Sequence, residues 1–250
     1  MMKNLRTEFQ KLRRRYLWLL FAADIFITFL WVFYIFHDLD LDRINDTTGM
    51  LGTNLLLINT ILTPLLLAVT ASRMCDIEQM GNTYTWIFTM QSPETFLKSK
   101  LTVGCIYLVI FDLVQTIFYI VLNQMYTPGW SFHYLEFFIS VLPIHVFLFL
   151  LQLLLSLHWE NQLLPLFVSI GGTFIGLFSW FLNQIPLRYL LPWGYFAALC
   201  NINMNYNSTT RYSYYYFISY PLPWLLVLLA ATILLFVLGK RLFVRQIAKI

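Results

Sequence analysis

The feature that most constrains the fold of this chain is a series of six long apolar stretches. They cover approximately residues 16–36, 50–71, 101–122, 136–157, 163–182 and 222–239 of the 250 residues. A helix needs about 20 mostly apolar residues to cross the hydrocarbon core of a bilayer, and each stretch is long enough. The charged fraction is only 11%, far below that of a soluble domain. The sequence therefore predicts an all-α, polytopic membrane protein with six transmembrane helices in one domain over residues 1–250.

The distribution of Lys and Arg predicts the orientation, because cytoplasmic flanks retain positive charge. With the N-terminus inside, every Lys and Arg except Arg43, Arg188 and Arg211 lies on the cytoplasmic side. We therefore expect both termini in the cytoplasm. The net charge of +4 then follows from membrane topology, and nucleic acid is not an expected partner.

The N-terminal segment over residues 1–15 is basic and amphipathic. Leu5, Phe9, Leu12 and Tyr16 recur at helical spacing, and Lys and Arg occupy the remaining arc. This pattern predicts an interface helix in the inner headgroup layer. A plain basic flank that only sets the topology remains the alternative.

The three cysteines, Cys75, Cys105 and Cys200, fall in a cytoplasmic loop, a span and an outer loop of the predicted topology. Residues so separated cannot pair, and their spacing matches no metal site. We expect free thiols and no bound metal.

A few polar residues lie inside the apolar stretches. Asp24 and Asp112 each cost about 2.5–3.5 kcal/mol at mid-bilayer, so both should face protein or water. His145 follows Pro143 in the fourth stretch and is a candidate partner for either Asp. The candidate intramembrane polar or substrate path comprises Asp24, Asn54, Asn59, Asp112 and His145. Hydrogen-bonded packing between helices is the competing interpretation.

The fifth stretch carries Gly172 and Gly176, four residues apart. Such a small-xxx-small pair allows another helix to approach the backbone closely. We expect a helix contact at this pair, and whether it lies within one chain or between two stays open.

A second long interruption covers residues 183–221. Its first half is apolar but too short and too rich in proline to span, which predicts a re-entrant or surface-lying helical segment at the outer leaflet. Its second half is rich in Asn and Tyr, which is typical of an interfacial belt. The same rings are candidates for an outer surface that contacts an amphipathic substrate. The candidates are Trp193, Tyr195, Tyr214, Tyr215 and Tyr216.

Residues 75–100, CDIEQMGNTYTWIFTMQSPETFLKSK, form the one long polar interruption in the first half of the chain. A Gly-Asn step and a later Ser-Pro break bound a short aromatic helix, which the sequence predicts over residues 82–90. Ser92 suits a helix N-cap and Pro93 the first helical position, so a new helix should begin there. A helix as short as 82–90 is marginal in water and needs a surface to bind. Glu78, Gln79, Asn82 and Thr83 form a polar patch before its aromatic residues, and we expect this polar end to protrude.

The loop over residues 72–100 resembles the coupling helix that ABC-2 type permeases carry between their second and third spans. The basic amphipathic N-terminus and the sequence LPWGYF before the last span add to the resemblance. The layout is similar to that of the small permeases that export lantibiotics and related peptide antibiotics in bacterial self-protection. In such permeases the loop docks into a groove on a nucleotide-binding subunit. The resemblance therefore implies ATPase-coupling roles for Glu78, Gln79, Asn82, Thr83, Tyr84, Trp86 and Phe88.

The resemblance implies a permease subunit of an ATP-driven exporter in the bacterial cell membrane, and no enzyme activity in this chain. The sequence contains no phosphate-binding motif G-x-x-x-x-G-K-S/T, so ATP and Mg²⁺ are expected on a separate ABC ATPase subunit. A second permease subunit, identical or similar, should complete the pore. The expected substrate is an amphipathic peptide or lipid-like molecule, and this chain itself should hold no cofactor.

Two other functions remain as alternatives. An ion-coupled secondary transporter would use Asp24 and Asp112 as midplane carboxylates, although the two halves of the sequence show no evident similarity. A non-transporting immunity protein would bind an antibiotic through the Tyr-rich outer segment. An intramembrane protease is disfavoured, because the sequence has neither a Glu-Glu pair with in-span His residues nor a Gly-x-Ser-Gly site.

Overall fold

The structure of the protein is a computed structural model that describes residues 2–13, 15–38, 44–81, 83–126, 129–159, 161–182 and 186–247. The elements are α1 (Met2–Arg13), α2 (Leu17–Asp38), α3 (Thr47–Met80), α4 (Tyr84–Met90), α5 (Pro93–Tyr126), α6 (His133–His158), α7 (Leu163–Phe181), α8 (Leu187–Leu190), a 3₁₀ turn (Pro192–Gly194), α9 (Tyr195–Ala198), β1 (Ile202–Asn207), β2 (Tyr212–Phe217) and α10 (Leu222–Ile247). Within these residues six helices, α2, α3, α5, α6, α7 and α10, are long and apolar enough to cross a membrane. The predicted all-α, six-helix membrane fold is confirmed.

Two of the spanning helices are longer than a bilayer requires. Both α3 and α5 have 34 residues, which corresponds to about 51 Å at 1.5 Å per residue, against about 30 Å of hydrocarbon. Local capping fixes the start of each helix. Asp46 Oδ1 accepts a hydrogen bond from Thr48 N at 2.9 Å, and Ser92 Oγ accepts one from Thr95 N at 3.3 Å. The predicted N-cap at Ser92 is thus confirmed.

The long helix α3 lies at the centre of the bundle. It packs on α6 and α7, and α5 and α10 pack against α6. Burial follows this arrangement. In the most apolar 18-residue segment of each helix, 67% of the residues are buried in α3, against 22% in α2 and 17% in α10. The two peripheral helices therefore leave most of their surface to lipid or to another subunit.

The bundle has two ends, which we name by their elements. The α4 end carries α1, α4 and the last turns of α10, where Lys240 Nζ lies 3.1 Å from Glu94 Oε1. Lys11 of α1 is also bonded to α3 at this end. The hairpin end carries α8, α9, β1 and β2. The N-terminal helix and the C-terminal part of α10 thus share one end, as the predicted topology requires.

The segment between α7 and α10 agrees only in part with its prediction. Its apolar half forms short helices that fold back onto the bundle, and Trp193 through Cys200 are buried. Its Asn- and Tyr-rich half forms an antiparallel hairpin in which Ile202 pairs with Phe217 and Asn207 with Tyr212. The helical first half agrees with its prediction, whereas the strands of the second half were not predicted; they form because aromatic rings on a half-buried pleated surface favour strands.

Candidate functional site

Helix α4 is attached to the bundle by an aromatic cluster. Its Tyr84 and Phe88 rings stack at 5.7 Å and both face Phe96 of α5, at 6.3 Å and 5.5 Å. Phe243 of α10 closes the cluster, 6.1 Å from Phe88 and from Phe96. A seven-residue helix would not persist alone. The aromatic contacts are therefore what holds α4 in place.

The opposite face of α4 projects away from the protein. Trp86 is 73% exposed and Met90 is 80% exposed, and their spacing of four residues places them on one face. Met80, at the end of α3, is also 80% exposed. We call Met80, Trp86 and Met90 the apolar tip. Apolar side chains with this exposure are available for contact with the bilayer or with a partner.

The remaining residues predicted for coupling occupy different surroundings. Gln79 Nε2 donates to Ser156 O at 2.8 Å and to Trp159 O at 3.3 Å, so it links the end of α3 to the end of α6. Thr83 is half-buried, and its backbone N–H donates to Glu78 O at 3.1 Å. Asn82 lies outside the described residues. The predicted short helix begins at Tyr84, two residues later than expected, and ends at Met90 as predicted.

Glu78 is not part of a protruding polar patch, and that expectation was wrong. Its side chain is 1% exposed and is bonded by two lysines. Lys100 Nζ of α5 donates to Glu78 Oε2 at 2.9 Å, and Lys11 Nζ of α1 donates to Glu78 Oε1 at 3.0 Å. Glu78 therefore joins three helices directly behind α4.

Glu8 completes a cluster of four charged residues, of which three are buried and Lys11 is partly exposed. Lys11 Nζ lies 2.9 Å from Glu8 Oε1, and Lys100 Nζ lies 3.4 Å from Glu8 Oε2. The two acids and two bases balance, as buried charges require. Burial lowers the pKa of Lys11, but its hydrogen bonds and the charges of Glu8 and Glu78 outweigh this and raise that pKa above its ordinary value. We call Glu8, Lys11, Glu78 and Lys100 the ion cluster.

The ion cluster changes the interpretation of α1. Leu12 is 1% exposed and Phe9 contacts the Tyr107 ring at 6.3 Å, so the apolar face of α1 packs on α5. A helix that only rested in the headgroup layer would leave that face in lipid. The sequence did contain a signal, because Glu8 lies on the apolar face between Leu5 and Leu12.

Comparison with known proteins decides the family. The model of the ABC-2 family transporter protein matches residues 4–176, which covers α1 to α6 and most of α7. The chain belongs to the ABC-2 transporter family. No curated protein and no solved structure matches it. ABC-2 chains are membrane subunits of transporters, and ATP is hydrolysed by a separate ABC ATPase subunit.

Within the part of the chain that the structure describes, the residues of the candidate intramembrane path in this ABC-2 bundle fall into separate groups. Asp112 Oδ1 and His145 Nδ1 share a hydrogen bond of 2.7 Å between α5 and α6, and both side chains are fully buried. Asp24 of α2 is 7% exposed and lies within electrostatic range of His145. His145 is thus the partner that the sequence suggested for Asp112. Among the described residues, Asp24 Oδ1 has no hydrogen-bond partner.

The two asparagines of the candidate path are placed differently. Asn59 and Gln115 exchange two hydrogen bonds of 2.8 Å and 3.0 Å, and both side chains are fully buried between α3 and α5. Asn54 Nδ2 donates to Met50 O within its own helix. The Asn59–Gln115 pair lies one turn from Asp112 along α5, whereas Asn54 is separate. Satisfied pairs of this kind act as interhelical packing in membranes.

Buried polar residues recur along one face of α5. Asp112, Gln115, Tyr119 and Asn123 follow at spacings of three and four, and each is at most 2% exposed. Tyr119 Oη donates to Thr48 O at 2.7 Å, and Asn123 Nδ2 donates to Tyr134 Oη at 2.6 Å. This stripe binds α5 to α3 and α6 across the thickness of the ABC-2 bundle.

The aromatic residues predicted to form an outer surface divide into two groups. Trp193, Tyr195 and Tyr215 are 8%, 5% and 8% exposed and pack within the hairpin end. Tyr214 is 52% exposed, and its ring lies 6.2 Å from that of Tyr216. The structure therefore leaves only Tyr214 and Tyr216 of this set at the surface.

The hairpin is held by Asn45, which precedes α3. Tyr215 N donates to Asn45 Oδ1 at 2.6 Å, and Asn45 Nδ2 donates to Tyr215 O at 2.7 Å. Ile44 forms a parallel bridge with Ser213 beside this pair. The outer edge of β2 is thereby covered, which prevents pairing with other chains.

We expect Asn45→Ala to loosen the hairpin, because both backbone groups of Tyr215 lose their partner. The local cost should be about 1–3 kcal/mol. Hydrogen exchange at the Tyr215 amide measures it, with Asn205→Ala, an exposed change on β1, as the control. Equal protection in the two variants would show that Asn45 does not hold the strand.

Proposed function

We propose that this chain is the permease subunit of an ATP-driven exporter, with α4 as the coupling helix and the α4 end in the cytoplasm. The observation that carries the proposal is the two-sided character of α4. Tyr84 and Phe88 attach it to the bundle, while Trp86 and Met90 are left for a partner. Membership of the ABC-2 family supplies the kind of partner, an ABC ATPase.

The connections of α4 support a mechanical role. A movement of α4 reaches α5 through Phe96, and it reaches α3 through the hydrogen bond from Thr83 N to Glu78 O. The ion cluster ties both helices to α1. Nucleotide-driven closure of the ATPase would therefore move the ends of α3, α5 and α1 together, and packed interfaces respond to such a push by switching between discrete arrangements.

Glu78 and Gln79 act inside the permease in this mechanism. Their partners are Lys100, Lys11 and the end of α6, so they transmit movement within the bundle. The contact with the ATPase is assigned to the apolar tip. Because Trp residues often dominate the energy of interfaces, Trp86 is the expected anchor.

A second permease subunit, identical or similar, is part of the proposal. The helices α2 and α10 expose most of their apolar surface, including Phe26, Tyr34, Ile233 and Leu242. Such surfaces can contact lipid on one side and a second bundle on the other. The pore would then be formed between two chains of this kind.

We propose that the substrate is an amphipathic molecule, of the lantibiotic-like peptide antibiotic class, that the complex removes from the bacterial membrane for self-protection. The exposed ring of Tyr214 and the half-buried ring of Tyr216 at the hairpin end support an amphipathic ligand, since aromatic rings accommodate both apolar and polar groups. The layout of the sequence supports the antibiotic class.

The test is Trp86→Ser, because this side chain contributes little to packing within the chain. Losing an aromatic anchor of about 2 kcal/mol weakens ATPase binding about 30-fold. We expect the variant to insert normally, to retain less ATP-hydrolysing activity on purification, and to lose export. Trp130→Ser is the matched control, since Trp130 is also 73% exposed but lies at the hairpin end.

Sidedness is checked in the same positions with Trp86→Cys and Trp130→Cys in intact cells. A membrane-impermeant maleimide added outside should label only the variant at position 130. A bifunctional maleimide crosslinker inside should join position 86 to a subunit with a phosphate-binding loop. Normal export and ATPase retention by Trp86→Ser, or outside labelling at position 86, would overturn the proposed function.

A further inference from the structure

A cavity of about 860 Å³ lies at the elbow between α1 and α2, at the α4 end of the bundle. One wall comes from α1, and the other comes from the elbow and the first turn of α2. Because α2 begins to span at Leu17, the cavity lies at the level of the lipid headgroups, where Trp and Tyr are enriched. The lining residues are Thr7, Gln10, Lys11, Arg13, Tyr16 and Trp18. We call this site the elbow cavity.

Arg13 brings an uncommitted positive charge to the elbow cavity. Its neighbour Arg15 is already paired with Asp76 at 3.1 Å. Within the part of the chain that the structure describes, the Arg13 side chain is exposed and forms neither a hydrogen bond nor an ion pair. The described lining also contains no carboxylate. A guanidinium in such surroundings suits a phosphate, which it can bind in a bidentate manner.

Lys11 adds a second cationic group to the same lining. Its ammonium group donates to Glu8 Oε1 at 2.9 Å and to Glu78 Oε1 at 3.0 Å. An ammonium group has three N–H donors, so one donor remains after these two bonds. The side chain is partly exposed, which leaves that donor accessible from the cavity. An anion at Arg13 therefore has a second donor within the same lining.

The elbow holds the aromatic wall in an uncommon backbone conformation. Tyr16 has a φ of 51°, in the left-handed region that aromatic residues seldom adopt. Arg15 N donates to Leu12 O at 2.9 Å before it, and Leu19 N donates to Tyr16 O at 3.0 Å after it. Arg73 Nη1 donates to Arg15 O at 3.2 Å, which ties the elbow to α3. Such strained residues cluster at ligand sites, and here the strain fixes one wall of a pre-formed cavity.

An exposed apolar stripe leads from the elbow cavity along α2. Trp18 is 56% exposed, Phe26 is 62% exposed, and the small residue Ala22 lies exposed between them. Their spacing of four residues places all three on one face of the helix. A ligand with its phosphate at Arg13 would therefore meet apolar surface on its way into the bilayer. This combination fits a molecule with a small anionic head and an acyl chain.

We propose that the elbow cavity binds an anionic phospholipid. The phosphate lies at Arg13 and Lys11, a headgroup hydroxyl lies near Gln10, and an acyl chain runs over Ala22. A choline headgroup fits less well, because its ammonium group would meet Arg13 with no carboxylate in the described lining. The site goes beyond the proposed export function, since lipid binding requires neither the ATPase nor a transported substrate.

The test uses the full chain in nanodiscs of phosphatidylcholine that contain a small fraction of dioleoylphosphatidylglycerol. Native mass spectrometry then counts the phosphatidylglycerol that each variant retains. We expect Arg13→Gln to lower retention about tenfold, as the loss of a charge-assisted hydrogen bond predicts. Arg6→Gln is the matched control, because Arg6 is an exposed base on the same face of α1 but does not line the cavity. This control should retain the lipid almost as wild type does.

Gln10→Ala keeps the proposal testable if Arg13→Gln fails to fold, because Gln10 is exposed and neutral. It should lower retention about threefold, the effect of one neutral hydrogen bond. Equal retention by wild type, Arg13→Gln and Gln10→Ala would overturn the site. An equal loss in Arg6→Gln and Arg13→Gln would also overturn it, because a general attraction to a basic helix would then explain the binding.

A further arm separates a lipid from a free anion. Soluble glycerol 3-phosphate at a concentration similar to that of the lipid should leave the bound phosphatidylglycerol in place, because it lacks the acyl chain. Displacement would overturn the lipid assignment. The ATPase is absent throughout, so failure here leaves the coupling proposal untouched.

Discussion

We expect Lys100→Met to lower the free energy of unfolding by about 3–5 kcal/mol, the usual result of removing one partner from a buried ion pair. Lys100 is fully buried, and its ammonium group bonds Glu78, Glu8 and the Met74 carbonyl. Without it, two buried carboxylates share Lys11 alone, and the cluster carries a net negative charge. Unfolding of the purified protein in detergent, followed by tryptophan fluorescence, measures the loss.

Lys98→Met is the matched control for this change. Lys98 is two residues away, 47% exposed, and paired with Glu94 at 2.8 Å. An exposed pair contributes about 0–1 kcal/mol, so the control should unfold almost as wild type does. Adding Glu78→Gln to Lys100→Met should recover part of the loss, because the remaining Glu8 and Lys11 balance. Similar unfolding of the two single variants would refute the assigned role of the ion cluster.

Gly172→Leu should displace the segment that packs on α7. A Cβ atom at position 172 would lie 2.0 Å from Trp193 Cε2 and 2.2 Å from Trp193 Nε1. These separations are too short for non-bonded atoms, so either the indole ring or the helix must move. Overpacking of this kind costs about 1–3 kcal/mol. We expect faster proteolysis within the 3₁₀ turn and α9, together with a lower unfolding temperature.

Gly171→Leu is the control, since nothing lies within 4 Å of a Cβ atom at position 171. Both variants add the same side chain to the same helix at neighbouring positions. Trp193→Ala in the Gly172→Leu background should restore resistance to proteolysis by vacating the space. If the two glycine variants behaved alike, the close approach of Trp193 to α7 would be refuted.

These two variants also show where sequence reasoning succeeded and where it stopped. The pair of Gly172 and Gly176 predicted a close helix approach. This is confirmed at Gly176, where an added Cβ atom would lie 2.7 Å from Thr60 Cγ2 of α3, whereas the neighbour of Gly172 is the Trp193 indole from a short turn. The sequence placed Trp193 on an outer surface because its segment could not span. Only the folded chain shows that the ring fills the notch that the glycine leaves.

Helix α4 was predicted to within two residues, because a Gly-Asn step and a Ser-Pro break bound it locally. Its neighbour Glu78 was misplaced. A charged residue at the end of a span ordinarily faces water, and nothing nearby in the sequence indicates Lys100 as its partner. The hairpin was missed for a similar reason, since strands depend on pairing across a turn and on packing against Asn45.

The sequence by itself determined the six spanning helices and the short helix between α3 and α5, because local composition, periodicity and breaks govern these features. The ABC-2 family was indicated by the resemblance of the loop over residues 72–100 to the coupling helix of known permeases. The tertiary structure alone decided which polar groups meet. Lys100 and Glu8 are separated by 92 residues, and Asp112 and His145 by 33. Such pairs form because a buried charge must find a partner in space, and their separation along the chain does not specify that partner.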